Sequence, residues 1–336
     1  MNSLERILRA TRLEPVDRTP LVPQLFGHAA ITAGLSLRDY LHDGEALAHA
    51  QVLERERYRT DAVFAFLDFA VEAEALGAPL CFRADRYPDV VGCVLGADDD
   101  PTRLRLPDPA AAGRMPVCLQ ALRTMRRRLG DDALVAGAVA GPMTTSAQLY
   151  GIENALYLAI DDPPRLAAAL DFATRLAIAY GLAQLDAGAH AVIVFEPAAS
   201  PAVVPPAFFR EFVAPRLARV LGGLRDGGAA FTWLNIAGPT AGILDAYARI
   251  GADVATFDYY LSAAEACHLL PQTCLAGNLR SLDFLDAAPG VVEHQARELV
   301  VAFEGRSGFL LSSGCEIPPE AAAESIAAMA AALSVE

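Results

Sequence analysis

The sequence predicts the α/β class and, within it, one (β/α)8 TIM barrel with an insertion after the second strand; three observations carry that expectation. Short apolar runs rich in β-branched and aromatic residues alternate with Ala- and Leu-rich helical stretches, the sign of repeated β-α units around a parallel sheet. Nearly every apolar run stops at a residue able to hydrogen-bond or titrate, as strands do at the reaction face of such a barrel. No linker, low-complexity tract or repeat period interrupts the chain, so residues 1–336 read as a single domain.

In chain order, eight strands are expected at residues 19–26, 62–67, 134–140, 191–195, 229–234, 254–257, 273–276 and 308–311. The first leads to Gln24 and His28, the second to Asp68 and Glu72, and the third to Thr144, Thr145 and Gln148. The fourth ends at Glu196, the fifth at Asn235, the sixth at Asp258, the seventh at Asn278 and Arg280, and the eighth at Cys315 and Glu316. Helices are expected at 164–186, 206–225, 240–250 and 291–303, with an Ala-rich helix at 319–333 ending the chain. Residues 80–109 are rich in Asp, Pro and Gly and lack a clear period, which suits an excursion covering the barrel mouth.

Composition narrows the partners. A formal net charge of −14 argues against nucleic acid and anionic membrane, whose surfaces demand concentrated Lys and Arg. The one local basic run, Arg123 with Arg126, Arg127 and Arg128, reads as a solvated helix face. No cationic segment followed by an apolar stretch opens the chain, and a cytoplasmic protein is expected. Cysteines at 81, 93, 118, 267, 274 and 315 have no short paired spacing, which fits reduced, mostly buried thiols.

Among the strand-end groups, Asp68 lies between apolar neighbours, where a carboxylate must be solvated, paired or protonated. Asp258 sits in the similar setting Phe257-Asp258-Tyr259-Tyr260, and Glu196 either contacts substrate or caps a helix. His28, Gln148 and Asn278 are candidate substrate contacts at the same face. Cys315, past a strand and beside Gly314, is a candidate nucleophile or ligand that the adjacent Glu316 would blunt by raising its pKa. The other five cysteines read as inert fillers, and His42, His49, His190, His268 and His294 as structural.

Several stretches together resemble the uroporphyrinogen decarboxylase superfamily: Gly141-Pro142-Met143-Thr144, Asp186-Ala187-Gly188-Ala189, Glu196-Pro197-Ala198-Ala199-Ser200, Gly277-Asn278-Leu279 and Gly314-Cys315-Glu316-Ile317-Pro318-Pro319. Within it they are most similar to the methylcobamide:coenzyme M methyltransferase branch. The likeness runs in order from about Leu4 to the C-terminal helix. It implies a (β/α)8 barrel, and in that branch a His-x-Cys pair after strand five and a Cys after strand eight hold a zinc ion. The zinc takes a thiol as thiolate, which attacks the methyl group of methylcobalamin on a partner corrinoid protein. Here Asn235 stands in place of the His and Ala237 in place of the first Cys, and only Cys315 remains. An amide is a poor zinc ligand and a methyl is none, so no tightly bound zinc is expected. The decarboxylase branch fits less well: its Arg-rich opening motif is replaced by Pro23-Gln24-Leu25-Phe26-Gly27-His28, and few cations surround the mouth for an anionic tetrapyrrole.

The leading expectation is therefore a zinc-independent methyltransferase that moves a methyl group between methylcobalamin or a corrinoid protein and a small polar substrate. Asn235 and Asn278 would orient the substrate, Glu196 or Asp258 act as base, and Cys315 contact an acceptor such as an amine or an already acidic group. A decarboxylase or other lyase acting on a small acid or tetrapyrrole, with Asp68 and Asp258 as proton carriers, is the second reading. A non-catalytic barrel binding a corrinoid or a partner protein is the third, and a homodimer is expected from the resemblance.

Overall fold

The computed structural model describes residues 1–83 and 86–333. Seven parallel strands form one curled sheet: β1 (Ala62–Ala65), β4 (Leu134–Ala140), β5 (Ala191–Phe195), β6 (Trp233–Asn235), β7 (Val254–Thr256), β8 (Cys274–Leu279) and β9 (Phe309–Ser313), paired in that order. Between β1 and β4 lies a small antiparallel hairpin, β2 (Leu80–Cys81) with β3 (Asp89–Val90). Side-chain alternation divides the core as a barrel requires. Phe64, Ala136, Ile193, Trp233, Ala276 and Leu310 fill the interior, and their neighbours Val63, Val135, Val192, Leu234, Leu275 and Leu311 pack outward under the helices.

The first expected strand shrinks to a single parallel bridge, Leu21 to Leu311. Pro20 and Pro23 flank this pair and have no N–H to donate, so the ladder cannot lengthen. The bridge nevertheless closes the barrel: Val22 N–H donates to the Leu311 carbonyl at 2.8 Å, and Asp61 N–H donates to the Leu21 carbonyl at 2.8 Å. Below it the Asp61 carboxylate is 0% exposed. It accepts from Leu21 N–H (2.7 Å), Arg6 Nη1 (2.7 Å) and both terminal nitrogens of Arg18 (2.7 and 3.0 Å).

Strands β6, β8 and β9 run past their expected ends, so Asn235 and Asn278 lie within strands. The helix expected at 206–225 is interrupted by a π-turn at Phe209–Val213, and the one at 240–250 breaks into 3-10 turns Thr240–Gly242 and Leu244–Ala246 before a single α-turn, Tyr247–Ile250. Pro239 before that segment and Gly242 inside it weaken the α-helical alternative. Helices at Ser3–Thr11, Gly44–Tyr58 and Met115–Leu129, undelimited by the sequence pattern, complete the outer layer. Pro163–Asp186 is long and apolar enough to cross a membrane by length and composition, yet 56% of its apolar window is buried within this fold.

Glu196, directly after β5, is turned to the N-terminus of the helix Pro142–Tyr150. It accepts from Met143 N–H (2.9 Å), Thr144 N–H (2.6 Å) and the Thr144 hydroxyl (2.5 Å). These are donors that a helix start leaves without intrahelical partners, and the helix dipole favours an anion there. Gly141 makes the approach feasible, since a Cβ at that position would meet Glu196 Oε2 at 2.4 Å.

Two stability outcomes follow. Asp61→Asn leaves two guanidinium groups facing a neutral amide and is expected to cost about 3 kcal/mol by urea unfolding, whereas Arg297→Ala at an exposed pair costs under about 1 kcal/mol. Glu196→Gln turns an amide NH2 towards N–H donors and is expected to cost about 2 kcal/mol in the same measurement. A neutral result for either variant would remove that carboxylate from the fold's supports.

Candidate functional site

The C-terminal ends of the strands carry the polar groups, and their hydrogen bonds sort them into three sets. The first set is the wall. Asn235 ends β6 and donates from Nδ2 to Gln24 Oε1 at 3.1 Å, while Gln24 Nε2 donates to the Ser313 carbonyl at 3.0 Å. The Ser313 carbonyl can only accept, which fixes the Gln24 amide and therefore the direction of the Asn235 bond.

Asp258, after β7, accepts from Gly238 N–H (2.6 Å) and Tyr259 N–H (2.7 Å), and burial pushes its carboxyl above the usual range against those two bonds. A Cβ on Gly314 would meet Asp258 Oδ1 at 2.6 Å, so the loops after β6, β7 and β9 converge on this carboxylate. Asn278 Nδ2 donates to the carbonyls of Leu261 (2.7 Å) and Asp258 (3.3 Å) and holds the same loop. Cys315 remains a solvent-exposed residue although its surroundings are dense. Burial pushes its thiol up to about 11, opposed by a backbone hydrogen bond at Glu316 and aided to a lesser degree by the charges of Glu316 and Asp258.

The second set lines a cavity of about 340 Å3 between the barrel mouth and the hairpin: Phe66, Asp68, Phe69, Tyr87, Gln148 and Glu316. Asp68 forms a bidentate pair with Arg114 Nη1 (2.5 Å) and Nη2 (3.1 Å), and Arg114 Nε donates to Glu74 at 2.7 Å. The buried carboxylate is thus paired. Glu316 Oε1 accepts from the Tyr87 hydroxyl (2.5 Å) and Gly27 N–H (3.2 Å), and burial pushes its carboxyl up to about 7. The stretch 80–109 therefore does lie over the mouth, although its residues 84 and 85 are outside the described ones. Gln148 Oε1 is buried with no hydrogen-bond partner. Its residue, with Val90, also lines an adjoining cavity of about 640 Å3 that reaches Cys93, Thr144 and Pro197.

The third set is enclosed. His28 Nδ1 meets Glu54 Oε1 at 2.5 Å in the core, and is not among the groups lining the mouth cavity. Glu196 is 0% exposed with its donors already bound, and burial pushes it up to about 7. His28 and Glu196, expected as a substrate contact and a base, each meet a partner within the chain and line neither of the two mouth cavities. Glu72, likewise pushed up to about 7 by burial, accepts from Ala140 N–H at 2.8 Å.

Tyr87 and Arg114 escaped the sequence reading. Tyr87 sits in the aperiodic stretch and Arg114 at a helix start, and neither follows a strand. All six cysteines are unpaired, but only Cys118 and Cys274 are buried; Cys93 is exposed beside the larger cavity. A further cavity of about 350 Å3, among Arg18, Arg57, Tyr58 and the C-terminal helix, lies at the opposite end of the barrel and holds none of the strand-end groups.

A zinc ion needs about three protein donors in a catalytic site. The positions that the resemblance points to offer one thiol, an amide, which is a poor zinc ligand, and the methyl of Ala237, a set that does not fit the ion. Among the described residues no three His, Cys, Asp or Glu side chains gather around one point where a metal could be held.

The chain is similar to the methylcobamide:CoM methyltransferase MtaA of Methanosarcina barkeri, 27% identical over 97% of this chain and 96% of that protein. It is also similar to a uroporphyrinogen decarboxylase of Anaeromyxobacter sp., 28% identical over 96% of each chain. A solved methyltransferase from Methanosarcina mazei superposes with a TM-score of 0.90 at 26% identity, covering 99% of this chain and 98% of its own. A B12-independent methionine synthase from Shewanella sp. shares the fold alone, with a TM-score of 0.61 at 14% identity. The family model for uroporphyrinogen decarboxylase (URO-D) matches residues 2–334, and the chain belongs to that family.

Proposed function

We propose that this chain is a methyltransferase that moves a methyl group between methylcobalamin, free or on a corrinoid protein, and a small polar substrate held at the barrel mouth, without a catalytic zinc. The observation that carries the reading is the donor set at the mouth, one thiol (Cys315) with an amide (Asn235) and a methyl (Ala237), where resemblance to the methyltransferases calls for three metal ligands. The mouth cavities, about 340 and 640 Å3, suit a small substrate. A corrinoid, when bound, would supply or take up the methyl group, with the substrate held by residues of the mouth.

The chain's own residues then bind, orient and hold a proton. Asn235, Asn278 and Asp258 line neither of these two cavities, and Asn278 borders a third of about 520 Å3 with Tyr259 and Arg280; on this reading the two amides orient the substrate's polar groups from the adjoining wall and Asp258, raised by burial, takes up a proton. Burial pushes the Cys315 thiol up to about 11, so it serves as a neutral contact. Asp68, Gln148 and Glu316 line the substrate cavity. The lyase reading is weaker, because Asp68 is locked to Arg114 and no Lys or Arg lines the 340 Å3 cavity to receive an acid. The proposal includes one functional domain over the whole chain and a cytoplasmic location, supported by the acidic charge and unpaired cysteines; a homodimer rests on the resemblance alone.

Asn235→Ala and Asp258→Asn are each expected to slow methyl transfer about 100-fold in a chain that still folds by circular dichroism, each losing about 2 kcal/mol of stability because Gln24 Oε1 or the Gly238 and Tyr259 N–H donors lose their partner. The corrinoid's absorbance change on gaining or losing its methyl group reads the rate. Unaltered rates in both variants would take the two residues out of the mechanism and favour a non-catalytic binding barrel.

A further inference from the structure

Sequence chemistry left two acceptor classes open, amines and acids. The cavity's own groups choose between them. Three aromatic rings line it, those of Phe66, Phe69 and Tyr87, with Phe66 and Phe69 set edge to face at 5.2 Å between centroids. Three carboxylates join them, Asp68, Asp89 and Glu316. Asp89 is matched by Arg83, but Arg114 answers both Asp68 and Glu74, so that group keeps an excess negative charge. Both hydrogen bonds to Glu316 fall on Oε1, and neither comes from a cation. The Gln148 amide oxygen, an acceptor without a donor, faces the same need for a positive or N–H-bearing partner.

Aromatic faces and a carboxylate unmatched by a cation, around a space of about 340 Å3, form the setting in which an organic ammonium ion is held: ring quadrupoles and carboxylate both attract it, and little of its weak hydration is lost. An anion placed there would meet carboxylates at the wall, with Arg83 and Arg114 already committed to Asp89 and Asp68 behind them. We infer that this cavity binds a small organic ammonium ion, so that the polar substrate of the proposed methyl transfer is an amine; to accept a methyl group its nitrogen first gives one N–H proton to Glu316, which frees the lone pair that forms the new N–C bond. The inference rests on that reading for the role of the bound ion, but the binding itself does not.

The test therefore uses binding alone, with no corrinoid present. Isothermal titration of the full chain with choline is compared with its uncharged isostere, 3,3-dimethylbutan-1-ol. Choline is expected to bind at least about tenfold tighter. Glu316→Gln should weaken choline about tenfold and Phe69→Leu about fivefold, with the neutral alcohol unmoved by the first. Circular dichroism of both variants reports their folding, and either folded variant suffices. Equal affinity for the two probes, or choline binding insensitive to a folded variant, overturns the inference and leaves methyl transfer to another substrate standing. Selective choline binding in a chain inert towards methylated corrinoid upholds the inference and removes the methyltransferase reading.

Discussion

The hydrogen bond from Asn235 to Gln24 is the constraint on which the mouth depends. It joins β6 to the residual first strand, and Gln24 passes the link to Ser313 at the end of β9. Three parts of the barrel far apart in sequence are thereby held in one register, with all three residues almost fully buried. A buried amide with its partners satisfied is rigid, because any rotation leaves a donor or acceptor unpaired in a low-dielectric interior. The bond uses Asn235 Nδ2 as its donor, and the amide oxygen that remains is a poor ligand for zinc.

Around that link, carboxylates dominate and are managed in different ways. Asp61 is matched by two arginines below the barrel, and Asp68 is matched by Arg114 near the mouth. Glu196 is matched by a helix N-terminus. Asp258 and Glu316 receive hydrogen bonds but, among the described residues, pair with no cation, and burial raises both. An unmatched, desolvated carboxylate is costly to keep and is concentrated where a ligand or a proton can relieve it. The difference between matched and unmatched groups separates supports from working residues better than position at a strand end does.

The barrel was legible because its signal is periodic: alternate residues of β4 and β5 face inward and outward with full burial on both sides, which reads as continuous apolar runs. The first strand was overcalled because Leu21 and Val22 look like the start of such a run, while the two prolines that truncate it act through missing donors. The site was legible as a set of strand-end residues but not in their roles. Glu196 and Asp258 look alike in sequence, each a carboxylate after an aromatic residue, and only the neighbouring helix start distinguishes them. Tyr87 and Arg114 were invisible because tertiary packing, without local pattern, brings them to the mouth.

Whether the mouth works without a Lewis acid can be asked of the protein directly. Metal-free protein is titrated with zinc in the presence of a competing chromophoric chelator, alongside the Cys315→Ser variant. With an amide held by Gln24, a methyl at Ala237 and a single thiol, the chelator should keep the zinc in both proteins. A stoichiometric site that outcompetes the chelator and disappears in Cys315→Ser would contradict that expectation and restore metal activation to this barrel.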